Sequence, residues 1–198
     1  MRGFYPQLAL EELGQKITLP PTPPGASTSP LAVVGLNALH AELESPRDRI
    51  VWDTGHQAYP HKLLTGRFER FDSLRQLGGI GGFPRRSESE HDVFDGGHAG
   101  TGLSIGQGLA AARDLRHGME RIAVVVGDAA IGSGLTMEAL NHLGHVRHPL
   151  LIVLNDNEMS ISPSVGGLST RLNKMRLSRA YQETKSATQR ALPRVPVI

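Results

Sequence analysis

The chain contains no cysteine. That excludes a disulfide scaffold, thiolate zinc sites and cysteine nucleophiles, and it leaves the compartment open. No apolar run approaches the 18 residues that mark a membrane span. No four basic residues stand in a row, and 21 Lys and Arg against 19 Asp and Glu leave a net charge of +2, so no nucleic-acid partner is expected. The first residues carry one Arg and then Glu11 and Glu12. They lack a secretory apolar core and match an Arg-rich, acid-poor transit peptide poorly. There is no internal repeat. What remains is a chain of 198 residues, 39% hydrophobic, with 23 Gly and 13 Pro. A domain of that length buries roughly 70% of its unfolded surface and needs no covalent or metal staple. The expectation is a soluble intracellular protein.

Residues 1–30 read as a weak helix around Leu8, Leu10 and Leu13, followed by a connector holding Pro20, Pro21, Pro23, Pro24 and Pro30. Each Pro removes a backbone donor and restricts its predecessor, so no helix or central strand crosses this stretch. Leu31–Leu43 has helical spacing, and Ile50–Asp53 reads as a strand closed by a turn-prone Asp. Residues 66–97 read mostly as loop, with one short helix near Phe68–Leu77. A loop of that length inside a domain is commonly functional or mobile. Gly102–Arg116 is helical in pattern. Ile122–Val126 is a β-branched run typical of a strand buried on both faces. Ser133–Val146 predicts a helix, Leu150–Leu154 a second buried strand, 157–170 a loop, and 171–191 a basic helix ending before Pro193. Strand, helix and strand over 122–154 form a crossover that joins parallel strands. The expected fold is α/β, a parallel sheet flanked by helices, with ligands at the carboxyl edge of the strands.

Three clusters follow three predicted strands or open a predicted helix. Gly127-Asp128-Ala129-Ala130 ends the first strand of the crossover, and Asn155-Asp156-Asn157 ends the second. Adjacent strands lie about 4.8 Å apart, so Asp128 and Asn157 can converge on one ion. They are hard oxygen donors, suited to magnesium or calcium. The same residues also suit humbler work: Asp128 as a helix cap and Asn155 to Asn157 as a turn. A phosphate-binding P-loop fits less well, because Ser133 and Gly134 stand where it needs Lys and then Ser or Thr. Gly106–Ala111 loosely matches a dinucleotide fingerprint but falls inside a helical pattern. The second cluster, Gly96-Gly97-His98-Ala99-Gly100-Thr101-Gly102, precedes a helix, where glycines and free N–H groups suit an anion. The third is Asp53-Thr54-Gly55-His56-Gln57-Ala58-Tyr59-Pro60-His61-Lys62, which puts His56 at the same edge.

Ser45–Gly66, Gly78–Asp92, Gly97–Thr101 and Val124–Leu172 together resemble the 1-deoxy-D-xylulose-5-phosphate synthases, thiamine diphosphate enzymes of the transketolase-like group. The stretch Asn155–Thr170 is especially distinctive, and the Gly127-Asp128 to Asn157 spacing looks like the thiamine diphosphate signature. The resemblance implies the transketolase-type diphosphate-binding fold over residues 31–198. It implies a transferase that condenses pyruvate with D-glyceraldehyde 3-phosphate, releasing CO2, for isoprenoid, thiamine and pyridoxal phosphate precursors. The implied cofactors are thiamine diphosphate and Mg2+. Carried over by residue, Asp128, Asn157 and the Met159 carbonyl hold the metal. Gly97, His98, Ala99, Ala129 and Ala130 line the diphosphate and thiazolium region with Asn157, and His56 contacts the cofactor and assists proton transfer. A complete member is expected to be a homodimer, cytoplasmic in bacteria and plastidial in a eukaryote, with no membrane or nucleic-acid partner.

Departures accompany the match. Ala129 replaces the signature's second Gly, and Pro24-Gly25-Ala26 aligns where the family has Gly-Gly-His. The chain stops at Ile198, before the pyrimidine-binding domain. The expectation is therefore a truncated diphosphate-binding domain, inactive alone, behind a degenerate segment at 1–30. The alternative is a non-catalytic remnant that keeps the fold and binds magnesium diphosphate.

Overall fold

Three short apolar runs set the architecture. Arg49–Asp53 forms β1, Ile122–Gly127 forms β2 and Leu151–Asn155 forms β3. The computed structural model describes residues 38–53 and 55–155, with a few isolated positions between 166 and 187. The expected elements at 1–30 lie outside the described residues, as do all of 31–37 and most of 157–191. The strands make one parallel sheet in the order β1-β2-β3, with Val51 opposite Val124 and Val124 opposite Ile152. The α/β parallel architecture expected from the sequence is the one observed.

Side chains alternate across a strand, so the sheet presents two apolar faces. Val51 and Val124 meet Leu103 and Ala139 on one face, with Ile105, Leu109, Leu140 and Leu143 packed around them. These come from α2, Gly102–Leu115, and α3, Gly134–Val146. Gly106 lets α2 approach closely, since a Cβ there would fall on the Val124 side chain. Ile50, Trp52, Ala123 and Val125 line the other face with Leu39, Leu43 and Ala58. Each fully buried aliphatic or aromatic side chain of this kind contributes about 1.5–3 kcal/mol.

Between β1 and α2 the chain makes a 3-10 turn, Gly55–Ala58, and then α1, Tyr59–Lys62. A distorted turn at Leu63–Arg67 and a 3-10 helix at Phe68–Ser73 follow. The short helix expected near Phe68–Leu77 is thus 3-10 and ends earlier. Residues 74–101 have no regular element, as their composition predicts.

Two expectations are corrected. The helix before β3 starts at Gly134, because Ser133 is its cap: Ser133 Oγ accepts from the Thr136 N–H at 3.3 Å. The cap is Ser133 and not Asp128. The second strand of the crossover is not buried. Leu151 is 50% exposed, and Ile152 and Leu154 are each 37% exposed. An apolar run signals burial only where elements cover both faces, and β3 is the outer strand of the three. No helix among the described residues is long and apolar enough to cross a membrane.

Candidate functional site

Parallel pairing brings the carboxyl ends of all three strands to one edge. The ladder closes with Asp53 opposite Val126 and Gly127 opposite Asn155. One step further, the Asp128 N–H donates to the Asn155 carbonyl at 3.2 Å. Asp128 and the end of β3 are therefore neighbours, as the crossover requires.

Asp53 ties the glycine-rich loop to this edge. Its Oδ1 accepts from the Gly100 N–H at 2.9 Å and its Oδ2 from the Gly102 N–H at 3.0 Å. Burial pushes the Asp53 carboxyl up, and these two N–H donors oppose the shift. Glycine is needed on both sides of the clamp. Gly100 sits at φ +85°, which L side chains rarely adopt, and a Cβ on Gly102 would stand 2.6 Å from Asp53 Cβ. The loop is pinned a second time by the fully buried Thr136. Thr136 Oγ1 lies 3.1 Å from the Gly100 carbonyl and 3.1 Å from the Ala130 carbonyl, and its one proton serves these two acceptors. Ser133 Oγ donates to Thr136 Oγ1 at 2.9 Å. One side chain thus joins the Gly-rich loop, the turn after β2 and the start of α3.

The described members of the expected site are distributed along this edge. Gly97, His98 and Ala99 are exposed on the loop just before the Asp53 clamp. Asp128 is half-buried, Ala129 exposed and Ala130 buried at the start of a 3-10 turn, Ala130–Gly132. His56 lies on the turn after β1, but its side chain lies outside the described residues. So do Asn157 and Met159. Among the described residues no three His, Asp or Glu side chains form a group that could hold a metal ion. The Asp128 carboxylate and the backbone oxygens at this edge are hard donors, the kind that suits magnesium carrying phosphate oxygens. An added Cβ at Gly97, Gly132 or Gly134 would meet nothing within 4 Å, so the backbone here is open to a ligand. The residues present fit a metal diphosphate at this edge.

A second polar cluster lies beneath the long loop, and sequence reading missed it. Arg67 Nη1 donates to Asp92 Oδ2 at 2.6 Å and Nη2 to Oδ1 at 3.0 Å. The Lys62 ammonium lies 2.7 Å from Glu88 Oε2, and Glu88 Oε1 accepts from the Gly81 N–H at 2.7 Å. His61 Nε2 lies 3.1 Å from Asp92 Oδ1, while His61 Nδ1 lies 2.9 Å from His40 Nε2. A neutral His61 with its proton on Nε2 satisfies both contacts. Burial alone would raise the Asp92 carboxyl. Hydrogen bonds from His61, Arg67 and the Arg85 N–H outweigh it and hold the group well below the usual carboxylate range. Glu88 and Asp92 stand four apart in a stretch rich in Ser and Glu, which reads as solvated loop. The only signal was that same spacing, set against the basic residues Lys62 and Arg67.

Comparison with known proteins decides the family. The family model described as 1-deoxy-D-xylulose-5-phosphate synthase matches residues 15–197. The chain belongs to the 1-deoxy-D-xylulose-5-phosphate synthase family. It is 50% identical over 169 residues to the 1-deoxy-D-xylulose-5-phosphate synthase of Geobacillus thermodenitrificans, covering 85% of this chain and 27% of that protein. It is 50% identical over 175 residues to the synthase of Alkaliphilus oremlandii, covering 88% of this chain and 28% of that protein. The same figures describe its similarity to 1-deoxy-D-xylulose-5-phosphate synthase 1 of Geobacter sulfurreducens. The chain therefore spans little more than a quarter of the length of these relatives.

Proposed function

We propose that this chain forms the diphosphate- and magnesium-binding part of a 1-deoxy-D-xylulose-5-phosphate synthase. The observation that carries the reading is the convergence of the Asp53-clamped loop, Asp128 and the end of β3 on one edge of the sheet. Asp128 supplies a carboxylate to the ion, and Asn157 and the Met159 carbonyl complete the protein's share. Gly97, His98 and Ala99 face the diphosphate from the loop, with Ala129 and Ala130 from the turn after β2. An anion is favoured where backbone N–H groups are open at such a turn. His56 touches the cofactor and moves a proton.

Thiamine diphosphate, when bound, supplies the carbon nucleophile that decarboxylates pyruvate and joins the remaining two carbons to D-glyceraldehyde 3-phosphate. The residues of this chain bind and orient the diphosphate end. The full reaction, its substrates, a homodimeric assembly and a cytoplasmic setting are proposed for a protein of the relatives' length. The test is calorimetry with Mg2+ and thiamine diphosphate on the chain and on Asp128→Ala. The variant is expected to lose metal-dependent binding, at least about tenfold in affinity, and to keep its fold by circular dichroism. Equal affinity in both proteins would move the site elsewhere.

A further inference from the structure

Gln57 is buried to 1% exposure and has no part in the ligand set just assigned. It sits on the 3-10 turn after β1, and its amide works in two directions. Nε2 donates to the Asp53 carbonyl at 2.6 Å, at the end of β1. Oε1 accepts from Asn155 Nδ2 at 3.0 Å, at the end of β3. Gly127 of β2 lies against the same amide, for a Cβ there would stand 3.2 Å from Gln57 Nε2. One side chain therefore spans the carboxyl ends of all three strands. The last register pair among the described residues is Gly127 with Asn155. The bond from the Asp128 N–H to the Asn155 carbonyl and the Gln57–Asn155 amide pair set how far Asp128 stands from the end of β3.

We propose that Gln57 is a positioning residue for the ion site, holding the ends of β1 and β3, and with them Asp128, at the spacing that a bound magnesium ion requires. This rests on the metal-diphosphate reading of the edge. Magnesium demands short bonds in near-octahedral geometry, whereas calcium accepts longer and more variable ones. A looser spacing therefore costs magnesium more than calcium. A glutamine that only stabilised the fold would affect both ions alike.

The test titrates the full 198-residue chain with Mg2+ or Ca2+ in the presence of thiamine diphosphate, by calorimetry, beside Gln57→Met. Methionine is close in volume and lacks both amide groups. Magnesium affinity is expected to fall about tenfold, the scale seen when a group supporting a metal ligand is removed. Calcium affinity should fall less than about threefold, so the selectivity between the ions drops. Asn155→Ala breaks the same bond from its other end and is expected to give the same selectivity loss, with little further change in the double variant. It also serves as the deciding variant if Gln57→Met does not fold. Unchanged magnesium affinity, or an equal loss for both ions, overturns the positioning role and leaves the site reading standing. Failure of the unmodified chain to bind Mg2+ with thiamine diphosphate overturns both.

Discussion

Beneath the long loop the buried polar groups are ionic, whereas at the carboxyl edge they are mostly neutral. In the first region Lys62, Arg67, Glu88 and Asp92 pair with one another inside the protein. In the second, Gln57, Asn155, Thr136 and Ser133 bond to each other and to backbone, and Asp53 is answered by two N–H groups. The ionic cluster fastens a segment that has no regular secondary structure and little apolar surface to bury. Ion pairs are directional and costly to desolvate, so the loop closes in one arrangement or comes undone. The neutral amides and hydroxyls position backbone and add no charge to that of the Asp53 and Asp128 carboxylates at the edge.

The sharpest way to break this contrast is Asp92→Ala. It strands the Arg67 guanidinium, 3% exposed, without its bidentate partner. A stability loss of about 3–5 kcal/mol is expected by urea unfolding, followed on the single Trp, Trp52. A loss below about 1 kcal/mol would equate the cluster with exposed pairs.

Acid should act on the same ionic side. Burial, with the charges of His61 and His91, pushes His40 down to about 3, and burial lowers His61 while Asp92 opposes. The folded state keeps both rings neutral, but the unfolded chain protonates them below about pH 6.5. Their contribution is complete above that pH and declines as pH falls, for His40 down to about 3 and by up to about 1.4 kcal/mol per pH unit. The lowered Asp92 carboxyl adds a further loss below its ordinary value of 3.8. Asp53 has the opposite sign, since its raised pKa favours the folded state below the ordinary carboxylate value and disfavours it as pH rises. Unfolding free energies between pH 7 and 4 check the balance, and a level profile would mean that the buried rings are charged.

The smallest effect probes the neutral side. Thr136→Val removes the hydroxyl that holds the Gly100 and Ala130 carbonyls but keeps the shape. A loss of about 1–2 kcal/mol is expected. Amide exchange at Gly100 and Gly102 should quicken, and unchanged exchange there would uncouple the loop from α3.

These contrasts mark how far the sequence could be read. The strands, α2 and α3 follow from apolar runs and periodicity, because burial of those runs is what forms them. The edge that gathers the Gly-rich loop and Asp128 follows from one parallel crossover. The ionic cluster was missed because Glu88 and Asp92 look solvated until the fold brings Lys62 and Arg67 against them. Asp53 and Gln57 were passed over for the same reason: each acts on backbone or side chains that are distant in sequence, Gly100 at 47 residues and Asn155 at 98. The exposure of β3 was misjudged because Leu-Ile-Val-Leu reads as a core strand wherever it stands.

The sheet also has a history written into its connections. β2 and β3 are joined through 23 residues that are mostly one helix, whereas β1 and β2 are separated by 68, much of it irregular. Closing the longer loop costs about 1 kcal/mol more in chain entropy, before any contact along it is formed. The unit of β2, α3 and β3 is therefore the part to assemble early, with β1 docking afterward as Asp48 accepts from the Arg121 N–H at 2.8 Å. The carboxyl edge would then be completed late, when β1 brings Asp53 to the Gly-rich loop, so in a newly made chain the clamp on Gly100 and Gly102 would close only in the final stage of folding.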